Sequence, residues 1–241
     1  MADLNIIQHP SPNFGERRDG ARPELIVLHY TAMPTAQAAL RRLSDPEAEV
    51  SAHYLIGRCG QIWQMVEEDK RAWHAGAGSW GGQGDVNSRS IGIELSNSGS
   101  EPFSELLMSS LEALLSDLMT RWDIPAEGVI GHSDMAPLRK KDPGSRFDWE
   151  RLARQDLSIW PNPKLTEVHY NSKFWTAERI TEFGELLRQI GYDVPTDEMP
   201  GTVYLAKFSD RFVKGRKQAY GYAFAAAADL ARRYPAPSNR S

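Results

Sequence analysis

The sequence predicts an α/β fold, a central mixed β-sheet flanked by helices, with a small C-terminal helical domain after it. Three observations carry this prediction. Short apolar runs rich in β-branched residues, Leu25-Ile26-Val27-Leu28 and Ser90 to Leu95 among them, are interleaved with helical stripes, the pattern of a sheet covered by helices. Ser104 to Trp122 sets Leu106, Leu107, Leu111, Leu114, Leu115, Leu118 and Met119 at helical spacing, an amphipathic face that must be buried. Charge changes sign near Trp160: 16 basic and 23 acidic side chains precede it and 12 and 9 follow, so an acidic body of −7 carries a tail of +3.

In chain order, Leu25 to Leu28 reads as a buried strand bounded by Pro23 and by Thr31 and Pro34,. Ala36 to Leu43 reads as a helix. Ala52 to Ile56 and Gln61 to Val66 flank Gly57-Arg58-Cys59-Gly60, a strand-turn-strand pattern with glycines where a tight reversal wants them,. Ser90 to Leu95 is a strand, Ser104 to Trp122 a long helix, and Val129-Ile130-Gly131 a short strand. Trp160-Pro161-Asn162-Pro163-Lys164 breaks any helix,, which divides the chain into residues 1–160 and a helical domain over 165–235. There, Phe174, Ile180, Phe183, Leu187 and Ile190 form a stripe that stops at Gly191, Tyr204 to Phe212 predicts a second helix, and Ala219 to Tyr234 an alanine-rich third,.

Composition narrows the function. At 241 residues, 41% hydrophobic and 25% charged, the chain is neither disordered nor collagen-like,. A formal charge of −4 lacks the basic field of a nucleic-acid or anionic-membrane binder,. No apolar run reaches the roughly 18 residues a membrane span needs. Cys59 is the single cysteine, so an intramolecular disulfide is excluded,. Met1 to Gly20 holds no apolar core of a secretion signal, which points to the cytoplasm, or to the periplasm if a signal has been removed,.

His29 closes the first strand, and His132 follows the strand Val129-Ile130-Gly131 in the same way. Each sits where α/β proteins build sites, at the carboxyl edge of a strand, although a structural histidine fits such a place as well. Asp142 follows ten residues after His132. Two imidazoles and a carboxylate are the ligand set of a catalytic zinc site with its fourth position open to water. Glu94 is a carboxylate inside an apolar strand: it is either an edge charge facing solvent or a buried group tuned for proton transfer. Lys140 lies two residues before Asp142 and reads either as part of the solvated run Arg139-Lys140-Lys141 or as a donor to a developing oxyanion,.

Five ordered motifs carry a family resemblance: Val27-Leu28-His29-Tyr30-Thr31-Ala32, Val50 to Ile56, Arg71-Ala72-Trp73-His74-Ala75-Gly76, Asn87 to Leu95, and Gly131-His132-Ser133-Asp134 through Lys140-Lys141-Asp142-Pro143-Gly144. Over Leu25 to Trp160 the chain resembles the zinc-dependent N-acetylmuramoyl-L-alanine amidases of the AmpD/AmiD type, relatives of the peptidoglycan recognition proteins. The resemblance implies one Zn2+ per chain held by His29, His132 and Asp142, with Glu94 and Lys140 as catalytic groups. It implies peptidoglycan or a muropeptide as substrate, with Trp73, His74 and Asn97 lining the groove. Amidase-type phage lysozymes carry a catalytic tyrosine where this chain has Ala52, which leaves the proton to Glu94 and gives Tyr54 no such role. His53 reads as structural or as support for the site.

Ile180 to Asp193 and Phe208 to Phe212 are similar to a small three-helix peptidoglycan-binding domain appended to several such amidases. Where that domain usually has an aromatic-Gln-Arg helix, this chain has Ala206 to Phe212. A glycan-binding module and a helical cap that binds nothing are both open readings. So are two rivals for the whole chain, a non-catalytic recognition module and a zinc hydrolase of another amide.

Overall fold

The two apolar runs of the sequence lie side by side: Leu25 to Tyr30 pairs in parallel with Ser90 to Leu95, which sets His29 opposite Glu94. The computed structural model describes residues 4–162, 176–195, 202–213 and 219–236. Its elements begin with β1 (Ile6–Gln8), β2 (Phe14–Glu16), β3 (Leu25–Tyr30), α1 (Ala36–Leu43), β4 (Tyr54–Ile56), β5 (Ile62–Gln64) and β6 (Lys70–Ala72). They continue with α2 (Val86–Arg89), β7 (Ser90–Leu95), α3 (Glu105–Trp122), β8 (Val129–Gly131), α4 (His132–Met135) and α5 (Trp149–Ala153). Three helices follow, α6 (Ala177–Ile190), α7 (Thr202–Phe212) and α8 (Ala219–Arg233).

The main sheet has the order β1-β5-β4-β7-β3-β8 and is mixed, as predicted: β4 and β5 are antiparallel around the Gly57 to Gly60 turn, and the other neighbours are parallel. β2 and β6 form a separate antiparallel ribbon. Three strands, β1, β2 and β6, and the short helices α2, α4 and α5 are additions to the sequence reading. The strands expected over Ala52 to Ile56 and Gln61 to Val66 are shorter, because Ala52, His53, Met65 and Val66 lie beyond the paired register.

Successive side chains of a strand point to opposite faces, and that alternation divides the molecule. Ile26 and Leu28 of β3 and Ile91, Ile93 and Leu95 of β7 pack with Leu107, Leu111, Leu114, Leu115 and Leu118 of α3. The long helix is capped by Ser104, whose side chain accepts from the Leu107 amide, and it ends at Asp123 in the left-handed region,. Leu106, expected in its buried stripe, is instead 61% exposed.

On the other face, α1 covers Leu55 and Met65. Beyond it, Leu25, Val27, Ile130, Met135 and Ala136 join one apolar cluster with Phe183 and Leu187 of α6, Phe208 and Phe212 of α7 and Leu230 of α8. The C-terminal helices thus share a core with the sheet. α6 stops where predicted, at Gly191 with φ 128°, a conformation open to glycine,. Pro163, Lys164, Phe174 and the boundary expected at 165 lie outside the described residues. Among the described residues no helix is long and apolar enough to cross a membrane.

A buried acid locks the end of α3 to the sheet. Glu68 accepts from the Tyr54 hydroxyl, the Arg121 guanidinium and the Trp122 indole. Burial alone would raise its pKa, but these hydrogen bonds outweigh it and hold the carboxyl below the usual range,. A group whose folded pKa is depressed stabilises the protein above its unfolded pKa, and the contribution is lost as the pH falls through the folded value. Glu68→Ala should therefore cost about 1–3 kcal/mol at pH 7 through the donors left unmatched. The gap from wild type should close below about pH 4, the range of an unfolded glutamate. Urea melts at pH 7 and pH 3 test this, and an equal gap at both would refute it.

Candidate active site

The alternation that buries Ile26 and Leu28 under α3 turns His29 to the opposite face, and the register sets Glu94 beside it on β7. His132 opens α4 directly after β8, the other neighbour of β3. Asp142 closes the loop that follows and is buried with both histidines. The structure brings the three together: His29 Nδ1 lies 2.9 Å from His132 Nδ1 and 3.0 Å from Asp142 Oδ2, and His132 Nδ1 lies 2.9 Å from the same oxygen.

Hydrogen bonds behind each imidazole fix which nitrogen carries the proton. His132 Nε2 donates to the Ala75 carbonyl at 2.8 Å, which leaves its Nδ1 with a lone pair,. For His29 the fixing runs through two more residues. The Ser90 hydroxyl donates to the Val86 carbonyl, so its oxygen accepts from His74 Nε2 at 3.1 Å. His74 Nδ1 then accepts from His29 Nε2 at 3.0 Å, and His29 Nδ1 is left facing His132 and Asp142. Gly92 makes room for this relay, since an added Cβ would lie 2.3 Å from the His74 ring.

Two imidazole lone pairs and a carboxylate oxygen therefore converge with no proton assigned between them, an arrangement that calls for a cation. All three ligand atoms fall within 4.8 Å of one another, and the donor set suits a divalent metal of the zinc type. Burial, then the nearby His132, lowers the His29 pKa to about 4, so the ring is neutral and free to ligate. Burial pushes the Asp142 carboxyl up, but its contacts with the His132 and His29 rings prevail and hold it below the usual carboxylate range.

The cluster lies at one wall of a cavity of about 330 Å³, also lined by Met33, Arg42, Trp73, His74, Glu94 and Lys140. Glu94 Oε2 is buried and has no hydrogen-bond partner among the described residues. Burial, then the charge of Asp142, raises its pKa to about 8. Asn97 is placed differently. It is buried outside the cavity lining, where its amide donates to the carbonyls of Glu101 and Pro102 and accepts from the Gly99 amide. His53 is buried against β7, its Nδ1 accepting from the Gly92 amide, and Tyr54 is spent on Glu68.

The family model of the N-acetylmuramoyl-L-alanine amidases matches residues 19–145. The amidase AmiD of Escherichia coli strain K12 is 36% identical over 196 residues, which cover 74% of this chain and 70% of that protein. The chain belongs to the N-acetylmuramoyl-L-alanine amidase family. The 1,6-anhydro-N-acetylmuramyl-L-alanine amidase AmpD of Citrobacter freundii is 38% identical over 160 residues, 59% of this amidase and 86% of AmpD. A solved complex of E. coli AmiD with the substrate anhydro-N-acetylmuramic acid-L-Ala-D-gamma-Glu-L-Lys superposes with a TM-score of 0.81 at 30% identity, covering 93% of this amidase and 99% of AmiD. AmpDh3 of Pseudomonas aeruginosa, solved with an anhydromuramic pentapeptide, gives 0.79 at 27% identity over 91% and 95% of the two chains. The matched residues 19–145 of the amidase contain His29, Glu94, His132, Lys140 and Asp142.

Proposed function

We propose that the chain hydrolyses the amide that joins the lactyl group of N-acetylmuramic acid to L-alanine, in peptidoglycan or its anhydro-muropeptide fragments. One observation carries the reading: three metal-ligating atoms converge beside Glu94, a half-buried residue whose Oε2 is buried and unpartnered among the described residues, at the wall of a single cavity. His29, His132 and Asp142 hold one zinc ion. When bound, zinc lowers the pKa of a water to about 7 and polarises the scissile carbonyl.

With zinc bound, its positive charge would favour the ionised form of Glu94, whose carboxylate would take a proton from the attacking water and deliver it to the leaving nitrogen. The carbon–oxygen bond forms, the carbon–nitrogen bond breaks, and the stem peptide leaves with a free amine. Lys140 donates to the oxyanion that develops on the carbonyl oxygen. Trp73 and His74 contact the substrate from the cavity wall, and Asn97 shapes the loop beside it. The chain divides into an amidase unit over 1–160 and a helical unit over 165–235. Its compartment is the cytoplasm, where an exposed free thiol such as Cys59 stays reduced,.

Release of stem peptide from an anhydro-muropeptide and from intact wall, with and without chelator, tests the reading. Hydrolysis of either that chelator stops and zinc restores is expected. Binding without release would instead favour a recognition module, and hydrolysis confined to other amides an unrelated zinc hydrolase. The relay behind His29 has its own check. Ser90→Ala removes the acceptor of His74 Nε2, so zinc affinity should fall about tenfold, as other outer contacts of metal histidines do. Chelator competition reads it, and an unchanged affinity would deny the relay.

A further inference from the structure

His132 is held from behind by the C-terminal helices. It opens a helix of four residues, and a helix that short has little rigidity of its own. Its direction is set by what grips its ends. Asp134, two residues on, is 1% exposed. Its Oδ2 accepts from the Gly131 amide at 2.7 Å and from the Arg211 guanidinium. Its Oδ1 accepts from the Tyr192 hydroxyl at 2.7 Å.

Arg211, on α7 and 4% exposed, also donates from Nη2 to the Val129 carbonyl at 3.0 Å and to Ser158 Oγ at 3.3 Å. Its guanidinium lies 4.0 Å from the ring centre of Trp149 and 4.7 Å from that of Phe212. One planar side chain, seated against two aromatic rings, therefore grips Val129 at the start of β8 and Asp134 in α4. Between those two points lies His132. A buried ion pair is in general weak evidence for stability, and here its attachment points matter more than its charge.

We infer that Arg211 and Tyr192 are positioning residues for the metal centre, so that the C-terminal helical unit acts as a brace that aims His132. The inference rests on the metal reading given above. It also gives the helical unit a task that requires no glycan.

The experiment uses the full chain and inorganic zinc. Tyr192→Phe removes one hydrogen bond with little change of shape, and Arg211→Lys keeps the charge but loses the planar fork. Leu230→Ala serves as the control: Leu230 is a fully buried residue of α8 in the same apolar cluster, remote from the network in sequence and absent from its hydrogen bonds. Zinc affinity of each folded protein is measured by chelator competition, beside the unfolding midpoint of the metal-free chain. Tyr192→Phe and Arg211→Lys should each weaken zinc about tenfold or more, while Leu230→Ala lowers the midpoint and leaves zinc affinity unchanged. Unchanged affinity in both network variants would overturn the inference, as would an equal loss in Leu230→Ala. A wild-type chain that binds no zinc would remove the metal reading and this one together, which separates the two failures.

Discussion

Glu94→Ala should retain zinc and lose hydrolysis. Glu94 lies opposite His29 in the β3–β7 register, and it lines the cavity without belonging to the three-atom cluster. Its loss therefore leaves the ligands intact and removes the group that moves the proton. General acid–base groups contribute about 10²–10⁴ in rate, and in the proposed mechanism one carboxyl serves both water and leaving nitrogen, so the fall should lie at the upper end of that range. Elemental analysis and muropeptide turnover on the same sample give both readouts. Turnover near wild type, or zinc lost with it, would show that Glu94 has another role.

The second large effect is His132→Ala, which should lose zinc and activity together. His29 Nδ1 and Asp142 Oδ2 would remain, and two ligands do not make the three-ligand set of a catalytic zinc site. The metal-free chain should still fold, since β3, β7 and α3 pack without the site. Unchanged zinc content in a folded His132→Ala protein would refute its assignment as a ligand.

Strand ends marked His29 and His132 as candidates, and the resemblance to the amidases singled out the set. His29 and His132 each follow a short apolar run, and Glu94 interrupts one. The long helix was legible from leucine spacing alone. Other parts left no local trace. β2 and β6 pair Phe14-Gly15-Glu16 with Lys70-Arg71-Ala72, polar segments with no apolar period that gain order only from each other. β1 depends on β5, more than fifty residues away. His74 reads in sequence as a groove residue; its link to Ser90 and His29 arises only when β7 and β3 are adjacent. Arg211 and Asp134 meet across 77 residues, and nothing in the spacing of an arginine and an aspartate announces a buried pair. The charge step near Trp160 is real in composition, yet the apolar cluster crosses it.

The alternation along β3 and β7 has a consequence for inheritance. Ile26, Leu28, Ile91 and Ile93 face α3, whereas His29, Gly92 and Glu94 face the chemistry or its supports and Val27 packs in the core shared with the C-terminal helices. In a library that replaces Ile26, Leu28 and His29 of β3 and Ile91 to Glu94 of β7, damage should beat with a period of two. At one set of positions abundance falls and the surviving molecules keep their rate; at the other the protein accumulates but works slowly. A lineage under selection for thermal endurance can thus revise one side of the sheet while the opposite side holds the reaction unchanged.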